Sequence, residues 1–334
     1  MSRRSRRSKR KLNSLFMATM LTGMLLLSST YAWFSANKEV ALEGINAKVV
    51  AAEGLQISLD GEAWSSKITL NKQNLTAAKN NNYKWPDALT PVSTVGESTA
   101  GNMNMFYGEV SADGTQLDNA AQESDTATTK YIVFDLYFKN SSSREAGDIL
   151  QLNTGSMVEI ADDGKDGTGL EYSIRSAVVL YSERADMTAD GETIRKIGFG
   201  TPLVSIWEPN YNKHITEVVN NDSRIDSTSD DYTTLGIKQL QGTTVTGING
   251  DAETEYIKEQ NTVKTDGTVG AATDMTAVTD TDGTTKLTLQ QNSIMKARVY
   301  IWLEGQDPDC IDTASTGKSI DLVLGFTKPA VETP

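Results

Sequence analysis

Four acidic side chains crowd a short stretch near the C-terminus, where their carboxylate oxygens could bind a cation. They are Glu304, Asp307, Asp309 and Asp312. Calcium takes about six to eight oxygen ligands, and loops rich in carboxylates commonly supply them. In a chain this acidic, however, solvated turns are the more common use of such residues. The pattern therefore predicts either a solvated acidic turn or a calcium site, and it indicates no other cofactor.

Nucleophilic and zinc-dependent chemistry has few residues available in this chain. The sequence contains a single histidine, His214, and a single cysteine, Cys310. A two-histidine zinc helix is therefore excluded, and a catalytic triad would need His214, which lies in a polar stretch typical of a turn. Since one cysteine forms no disulfide within the chain, we expect Cys310 to be a small buried residue beside a strand. We predict that the protein is not an enzyme.

Aromatic side chains offer another kind of binding chemistry, the stacking of sugar rings. Tyr181, Trp207, Tyr300 and Trp302 lie in segments that read as strands. Nothing in the sequence sets them on one exposed face, and aromatic residues in alternating strands are more often core or cross-strand pairs. A monomeric cell-surface adhesin or glycan-binding β-sandwich that uses calcium is therefore the alternative function.

The first 32 residues have the parts of an export signal. Seven basic residues precede an uncharged, mostly apolar run from Leu15 to Leu27. As a helix this run spans about 20 Å, short of the hydrocarbon core of a bilayer at about 30 Å. Thr30 and Ala32 are small residues at the two positions that a signal peptidase reads, so we predict cleavage between Ala32 and Trp33. The alternative is an uncleaved signal that anchors the chain in the membrane.

The charge of the chain restricts its partners. The formal net charge is −13, and loss of the seven cations in the signal would bring it to −20. So acidic a protein repels phosphates, and we therefore expect no nucleic-acid partner and no membrane contact except through an uncleaved signal. We expect a secreted protein at the cell surface or in an extracellular matrix.

A period of two residues dominates the apolar pattern, which predicts an all-β fold. Tyr131 to Phe138 is the richest segment and carries apolar side chains on both faces, so we expect a central strand there. Leu55 to Leu59 precedes Asp60-Gly61, a pair typical of a tight hairpin turn, and a second strand is expected up to Leu70.

The last two alternating segments are Ala297 to Leu303 and Ile320 to Phe326. A short acidic loop separates them, and we expect them to pair as a terminal hairpin. No sustained helical stripe occurs after the signal, so helices are expected to be short and peripheral. Further strands are predicted at residues 172–181, 203–207 and 286–290.

Many short strands separated by turn residues predict an antiparallel, jelly-roll-like β-sandwich. We assign it to residues 51–328, followed by a tail at 329–334. Two polar stretches, 96–129 and 242–285, contain few large apolar residues, and we expect them to be long loop insertions on the surface.

Residues 33–50, between the predicted cleavage site and the sandwich, form a strand-prone arm. Its apolar phase changes at Gly44, where a strand must bulge or break because an offset of one residue turns the side chains over. Backbone groups of such an arm need partners, either in its own sheet or at the edge of a neighbouring subunit. The apolar side chains of the arm are Phe34, Val40, Leu42, Ile45, Ala47 and Val49.

The order of these features resembles the camelysin/TasA family of exported bacterial biofilm-matrix proteins. The similarity is greatest over residues 15–60, where the basic stretch and apolar run lead to Thr30-Tyr31-Ala32, the aromatic pair Trp33-Phe34 and an extended segment. It implies a jelly-roll body, a dedicated signal peptidase, and fibres assembled by donor-strand exchange among copies of the chain or related matrix subunits. The large insertions depart from the family.

Some members of that family are described as metallopeptidases. With one histidine, a zinc site here would depend on carboxylates and water, an unusual ligand set for catalytic zinc. The resemblance therefore favours a structural protein that forms or decorates extracellular fibres, and an extracellular metallopeptidase is the least favoured function.

Overall fold

The computed structural model consists mostly of β-strands in antiparallel sheets, with few helices, which confirms the all-β prediction. The signal segment, the predicted cleavage site and the first part of the arm lie outside the described residues. The structure describes residues 42–43, 45–52, 54–78, 82–110, 116–122, 130–145, 147–152, 155–161, 169–198, 200, 202–207, 209–210, 215, 239–240, 288–305, 307, 309–310 and 319–328.

The strands differ widely in length, from two residues to thirteen. In chain order they are β1 (Leu42–Glu43), β2 (Ile45–Ala51), β3 (Leu55–Ser58), β4 (Lys67–Leu70), β5 (Ala88–Leu89), β6 (Ser93–Thr99), β7 (Asn102–Val110), β8 (Gln116–Gln122), β9 (Ile132–Asn140), β10 (Asp148–Ile149), β11 (Gln151–Leu152), β12 (Met157–Ile160), β13 (Ile174–Asp186), β14 (Leu203–Trp207), β15 (Gln239–Leu240), β16 (Thr288–Leu289), β17 (Ser293–Leu303) and β18 (Ile320–Thr327).

The helices within the described residues are short, as predicted. They are α1 (Lys72–Ala77), α2 (Gly191–Arg195) and a 3-10 turn at Leu170–Ser173. The side chain of Asn71 caps α1 by accepting a hydrogen bond from the Asn74 amide at 2.8 Å. No helix in the described part of the chain is both long and apolar enough to cross a bilayer.

Sheet I is an antiparallel sheet of five strands in the order β14-β13-β17-β9-β3. Its middle strand, β17, is buried along its whole length. β9 lies between β17 and β3, and its alternating residues are buried on both faces. The predicted strand over Tyr131 to Phe138 is therefore confirmed as an inner strand, one position from the middle.

Sheet II also has five strands, in the order β11-β18-β2-β4, with β12 paired to β18 beside β11. β2 lies antiparallel to β4 but parallel to β18, with Ile45 opposite Ile320 and Ala51 opposite Phe326. The first long strand and the last strand of the described chain are therefore direct neighbours.

The predicted terminal hairpin is wrong, because its two strands belong to different sheets. β17 pairs with β13 and β9, whereas β18 pairs with β2, β11 and β12. Residues 304–319 connect them, and this connection is long enough to cross from one sheet to the other. Alternation correctly indicated an apolar face on each strand but does not specify which neighbour the strand pairs with.

The predicted turn at Asp60-Gly61 is confirmed, with Gly61 at a φ of +72°. The Ser58 hydroxyl accepts from the Gly61 amide at 2.9 Å, and the Asp60 carboxylate accepts from the Ala63 amide at 2.8 Å. The strands on either side do not form a regular hairpin, however. β3 joins sheet I and β4 joins sheet II, and a single bridge between Ile57 and Ser65 links the two segments.

One hydrophobic cluster contains residues from both five-stranded sheets. The rings of Phe138 on β9 and Phe326 on β18 meet edge to face, with centroids 5.0 Å apart. Sheet I contributes, among others, Ile57, Phe134, Leu136, Val178, Val299 and Ile301. Sheet II contributes Ala47, Val49, Leu70, Leu322 and Leu324.

Part of the segment predicted as a polar insertion is structural. β6, β7 and β8 form sheet III with β15, in the order β15-β8-β7-β6. Met103 and Met105 on β7 are buried in a second cluster with Tyr131 and Val133, on the other face of β9. Two alternating methionines in a polar stretch thus contribute to the core on this face, which average composition did not reveal. Residues 242–285 lie outside the described residues.

Candidate functional site

The second half of the predicted arm is paired within its own chain. Val49 is fully buried and Ala47 is 1% exposed, while Asn46 and Lys48 on the alternate face are exposed. β2 is flanked on both sides, by β18 and by β4, so its two edges are occupied. Residues 45–50 are therefore an internal strand in this structure, which is the first of the two arrangements considered for the arm, pairing within its own sheet.

The break predicted at Gly44 is confirmed by the strands around it. β1 ends at Glu43 and pairs with β5, with Leu42 opposite Leu89, whereas β2 begins at Ile45 and belongs to sheet II. Leu42 is buried at 3% exposure, so β1 adds to the core. The other predicted arm residues, Phe34 and Val40, and the cleavage residues Thr30, Ala32 and Trp33 lie outside the described residues.

A short connection separates β2 from β3 and carries the chain from sheet II to sheet I. The Ala52 amide donates to the Phe326 carbonyl at 2.9 Å, and the Leu55 amide donates to the Ala52 carbonyl at 3.1 Å. Gly54 has a φ of +79°, a left-handed conformation that glycine adopts without strain. If β2 left its position, β4 and β18 would each have an unpaired edge.

Three of the four predicted calcium ligands have protein partners. The carboxylate of Glu304 accepts from the Ser93 hydroxyl and, at 3.0 Å, from the Trp302 indole. Arg175 donates to Asp307 at 2.7 Å, with both side chains buried. The alternative of a solvated turn is thus wrong for these residues, because they are buried and internally bonded.

Asp309, in the same acidic loop, is equally enclosed. Asp309 is fully buried, and its carboxylate accepts from the Ile215 amide at 2.7 Å. Asp312 lies outside the described residues. Among the residues that the structure describes, no group of three or more acidic, histidine or cysteine side chains is arranged to hold a metal ion. The calcium site therefore stays a prediction. The carboxylates that the structure describes are not arranged as a calcium site.

Cys310 and the candidate stacking aromatics all lie in the interior. Cys310 is fully buried, as expected, and its burial raises the pKa of the thiol well above the usual value. His214 lies outside the described residues. The four aromatic side chains considered for sugar binding have at most 2% of their surface exposed, so they offer no stacking platform in this structure; they are Tyr181, Trp207, Tyr300 and Trp302.

The structure contains a buried ion network that the sequence analysis missed. Asp135 on β9 accepts from Arg298 at 2.8 Å and lies 2.9 Å from the Lys296 ammonium, both on β17. Asn82 donates to the same carboxylate at 2.7 Å. Burial alone would raise the pKa of Asp135, but the hydrogen bond and charge of Arg298 outweigh it and the pKa is lowered.

The network includes aromatic faces as well as charges. The Lys296 ammonium lies 5.4 Å from the ring centroid of Tyr181 and 6.0 Å from that of Tyr137. Rings at these distances attract a cation. Arg298 also donates to Asn102 on β7, which ties sheet III to sheet I. Polar residues at inward positions of otherwise apolar strands were the only sequence signal for this network.

A second missed group, which we call the amide cluster, consists of Asn140, Asp148 and Lys328. Asn140 ends β9, Asp148 begins β10 and Lys328 follows β18. The Asn140 amide nitrogen donates to Asp148 at 3.0 Å, and the Lys328 ammonium donates to the Asn140 carbonyl oxygen at 3.2 Å. Burial raises the pKa of Asp148, but hydrogen bonds from Asn140 and Ser142 and the charge of Lys328 outweigh it, so the pKa is lowered.

No protein-family model, no curated protein and no solved structure matches the chain.

Proposed function

We propose that this chain is an exported structural protein whose subunits form or decorate extracellular fibres by exchanging their N-terminal strand. The observation that supports the proposal is the position of β2, the first long strand of the described chain. It lies between β4 and β18 and contributes Ala47 and Val49 to the core. The predicted export signal and the resemblance to biofilm-matrix proteins also support the proposal.

In this proposal the body of each subunit is a β-sandwich made of sheets I and II. Their residues share one hydrophobic cluster, and Phe138 on one sheet contacts Phe326 on the other. Facing sheets with a common core are the defining feature of sandwiches. The mixed pairing of β18, parallel to β2 and antiparallel to β12, is the main departure from a simple antiparallel design.

Strand exchange uses contacts that the single chain already makes. If the connection at residues 52–54 opens, β2 of one subunit can occupy the position between β4 and β18 of the next. The hydrogen bonds and buried side chains are the same in both arrangements, so the balance depends on the connection and on protein concentration. Because each subunit gives one strand and receives one, the contact is head-to-tail, and it produces a linear polymer when the rotation between subunits does not close a ring.

Two variants, each with one added cysteine, test where β2 resides. Lys48 is exposed and lies opposite Val323 in the parallel pair, so cysteines at these positions are placed to form a disulfide. We expect a mixture of Lys48→Cys and Val323→Cys chains, polymerised and then oxidised, to form disulfides between chains. The native Cys310 is fully buried and does not compete.

The matched control uses a pair that does not involve β2. Glu159 on β12 lies opposite Asp321 on β18, and a mixture of Glu159→Cys and Asp321→Cys chains should form no disulfides between chains. The proposal is wrong if the first mixture also remains free of inter-chain disulfides in assembled material. It is equally wrong if the mature protein stays monomeric at every concentration tested.

A further inference from the structure

The amide cluster brings together side chains from opposite sheets. Asn140 ends a strand of sheet I, and Lys328 follows the last strand of sheet II. The Lys328 ammonium lies 3.2 Å from the Asn140 carbonyl oxygen and 3.5 Å from the Asp148 carboxylate. Asp148 also accepts from the Asn140 amide nitrogen at 3.0 Å. One carboxylate oxygen thus contacts both an amine and the amide beside it.

Neighbouring backbone groups fix the orientation of the Asn140 amide. Its nitrogen donates to the carbonyls of Leu289 at 3.3 Å and Gln290 at 3.2 Å, and its oxygen accepts from the Ser142 amide at 3.1 Å. A carbonyl only accepts and a backbone amide only donates, so the reverse orientation would lose all three hydrogen bonds. The carbonyl of Asn140 therefore faces Lys328, and its amide nitrogen faces Asp148.

The cluster is enclosed but open on one side. Asn140 is 1% exposed and the Asp148 side chain 4%, while the Lys328 side chain is 18% exposed. Phe138 and Phe326, each two residues before its cluster member, pack against each other with ring centroids 5.0 Å apart. A site with little water strengthens the electrostatic interactions within it, and the exposed side gives a small product a way out.

We propose that Lys328 and Asn140 form an isopeptide bond within the chain, with Asp148 transferring the proton. Asp148 takes a proton from the Lys328 ammonium, and the freed lone pair on Nζ attacks Cγ of Asn140. Asp148 then delivers that proton to Nδ2, and the bond between Cγ and Nδ2 breaks, with its electron pair leaving on ammonia. Ammonia collects the second proton of the amine and leaves as ammonium, so charge and atoms balance without any oxidant or other reactant.

Two physical effects, proximity and proton transfer, favour formation of the isopeptide bond. The Lys328 Nζ lies 3.2 Å from the Asn140 carbonyl oxygen, which is one bond from the carbon that it would attack, and groups held this close together have lost most of the entropy cost of meeting. A carboxylate that contacts both nitrogens can act first as base and then as acid. Overall, the lysine ammonium and the asparagine amide become a new amide and a free ammonium ion, so release of ammonium into solvent draws the reaction forward.

Two glycines in the backbone around the amide cluster leave space for its side chains. Gly54 has a φ of +79°, and a Cβ atom there would lie 3.2 Å from the Lys328 Nζ. Gly147, directly before Asp148, has a φ of +75°, and its Cβ would lie 2.7 Å from the Leu289 carbonyl oxygen. Both positions favour glycine, which leaves room for the lysine and lets β10 approach β16.

The isopeptide bond would clamp sheet I to sheet II at the end of β18. It is independent of strand exchange, because a chain that never polymerises can still form it. Failure of one proposal therefore leaves the other intact.

Peptide mapping of the purified, denatured protein tests the proposal directly. Trypsin cleaves after Lys139, Arg144 and Lys318 but not between Lys328 and Pro329. We expect peptide 140–144 to be joined to peptide 319–334, with a mass about 17 Da below the sum of the two, which is the loss of ammonia. Recovery of both peptides separately and unmodified would overturn the proposal.

Variants assign the roles of the three residues. In Lys328→Arg the positive charge remains but the amine nucleophile is lost, so the joined peptide should be absent. In Asp148→Asn the shape remains but proton transfer is lost, and we expect the two peptides to be recovered separately. The control Lys139→Arg, at a half-buried neighbour of Asn140, keeps the cleavage site and should give the joined peptide. Full joining in Asp148→Asn would refute the role of that carboxylate.

Discussion

Two lysines of this protein are held by buried aspartates, yet their surroundings differ in the group that completes each site. In the ion network the third member is Arg298, a second cation that holds Asp135 in its charged form. In the amide cluster the third member is Asn140, a neutral amide that contacts Asp148 at 3.0 Å, while the nearest second cation, Arg144, lies farther away, 3.9 Å from the other Asp148 oxygen. A carboxylate held ionised by arginine is a poor electrophile, whereas an amide carries a group that can leave. The first site therefore stabilises the fold, and the second has the components of a reaction.

The largest expected effect on stability comes from removing the covalent link. A bond between residues 140 and 328 closes a loop of 188 residues, for which the chain-entropy relation gives about 5 kcal/mol. We expect Lys328→Arg to lower the free energy of unfolding by up to that amount in urea titrations. Lys139→Arg is the control and should unfold like the unchanged protein. Equal stability of all three proteins would contradict the link.

Disrupting the ion network should lower the free energy of unfolding by a comparable amount. It should leave the isopeptide bond unaffected. Asp135→Asn leaves two buried cations without their carboxylate, and breaking a buried pair costs about 3 to 5 kcal/mol. The same peptide map should still contain the joined peptide, since the amide cluster is unchanged. Loss of the joined peptide in folded Asp135→Asn would break the distinction between the two sites.

A smaller effect on stability and on the joining reaction is expected from moving Asp148 without changing its chemistry. Gly147→Ala places a Cβ atom against the Leu289 carbonyl in a left-handed backbone, a strain of about 1 to 3 kcal/mol. The strain should displace Asp148 and slow the joining of the two peptides, measured over time after refolding of chain that is not yet joined. Ala146→Gly, one residue earlier, is the control. Unchanged joining in Gly147→Ala would show that the position of Asp148 is not critical.

The smallest effect is the acid dependence of the ion network. The pKa of Asp135 is lower in the folded than in the unfolded chain, so at acidic pH the unfolded chain binds more protons. The contribution of Asp135 to stability is present above the pKa of about 3.9 that it has in the unfolded chain. This contribution is lost as the pH falls through the lower pKa of the folded chain. We expect urea midpoints measured from neutral to acidic pH to fall less steeply in Asp135→Asn than in the exposed control Asp87→Asn. Identical slopes would contradict this assignment.

The local sequence pattern correctly predicted the features that depend only on residues close together in the sequence. Alternation identified the inner strand around Phe134, a change of phase identified the break at Gly44, and turn chemistry identified Asp60-Gly61. Sheet membership was not predictable in this way. The alternation of β18 shows which side is apolar, but it does not show that β2 is its neighbour.

The polar sites were harder to predict because their members are far apart in sequence. Asn140 and Lys328 are separated by 188 residues, and neither belongs to a short motif. The acidic loop was misread for a related reason, since the spacing of Asp307 gives no sign of the buried Arg175 that pairs with it. Composition describes the average surroundings of a residue, whereas these sites depend on one particular partner.

The parallel pairing of β2 with β18 has a mechanical consequence. The N-terminal end of one strand and the C-terminal end of the other lie at opposite ends of the pair, with seven residue pairs between them. Tension applied through those two ends would load the hydrogen bonds of the pair together, in shear, and would not open them one after another like a zipper. A filament linked through this pair would therefore resist stretching along its axis far better than peeling from one side.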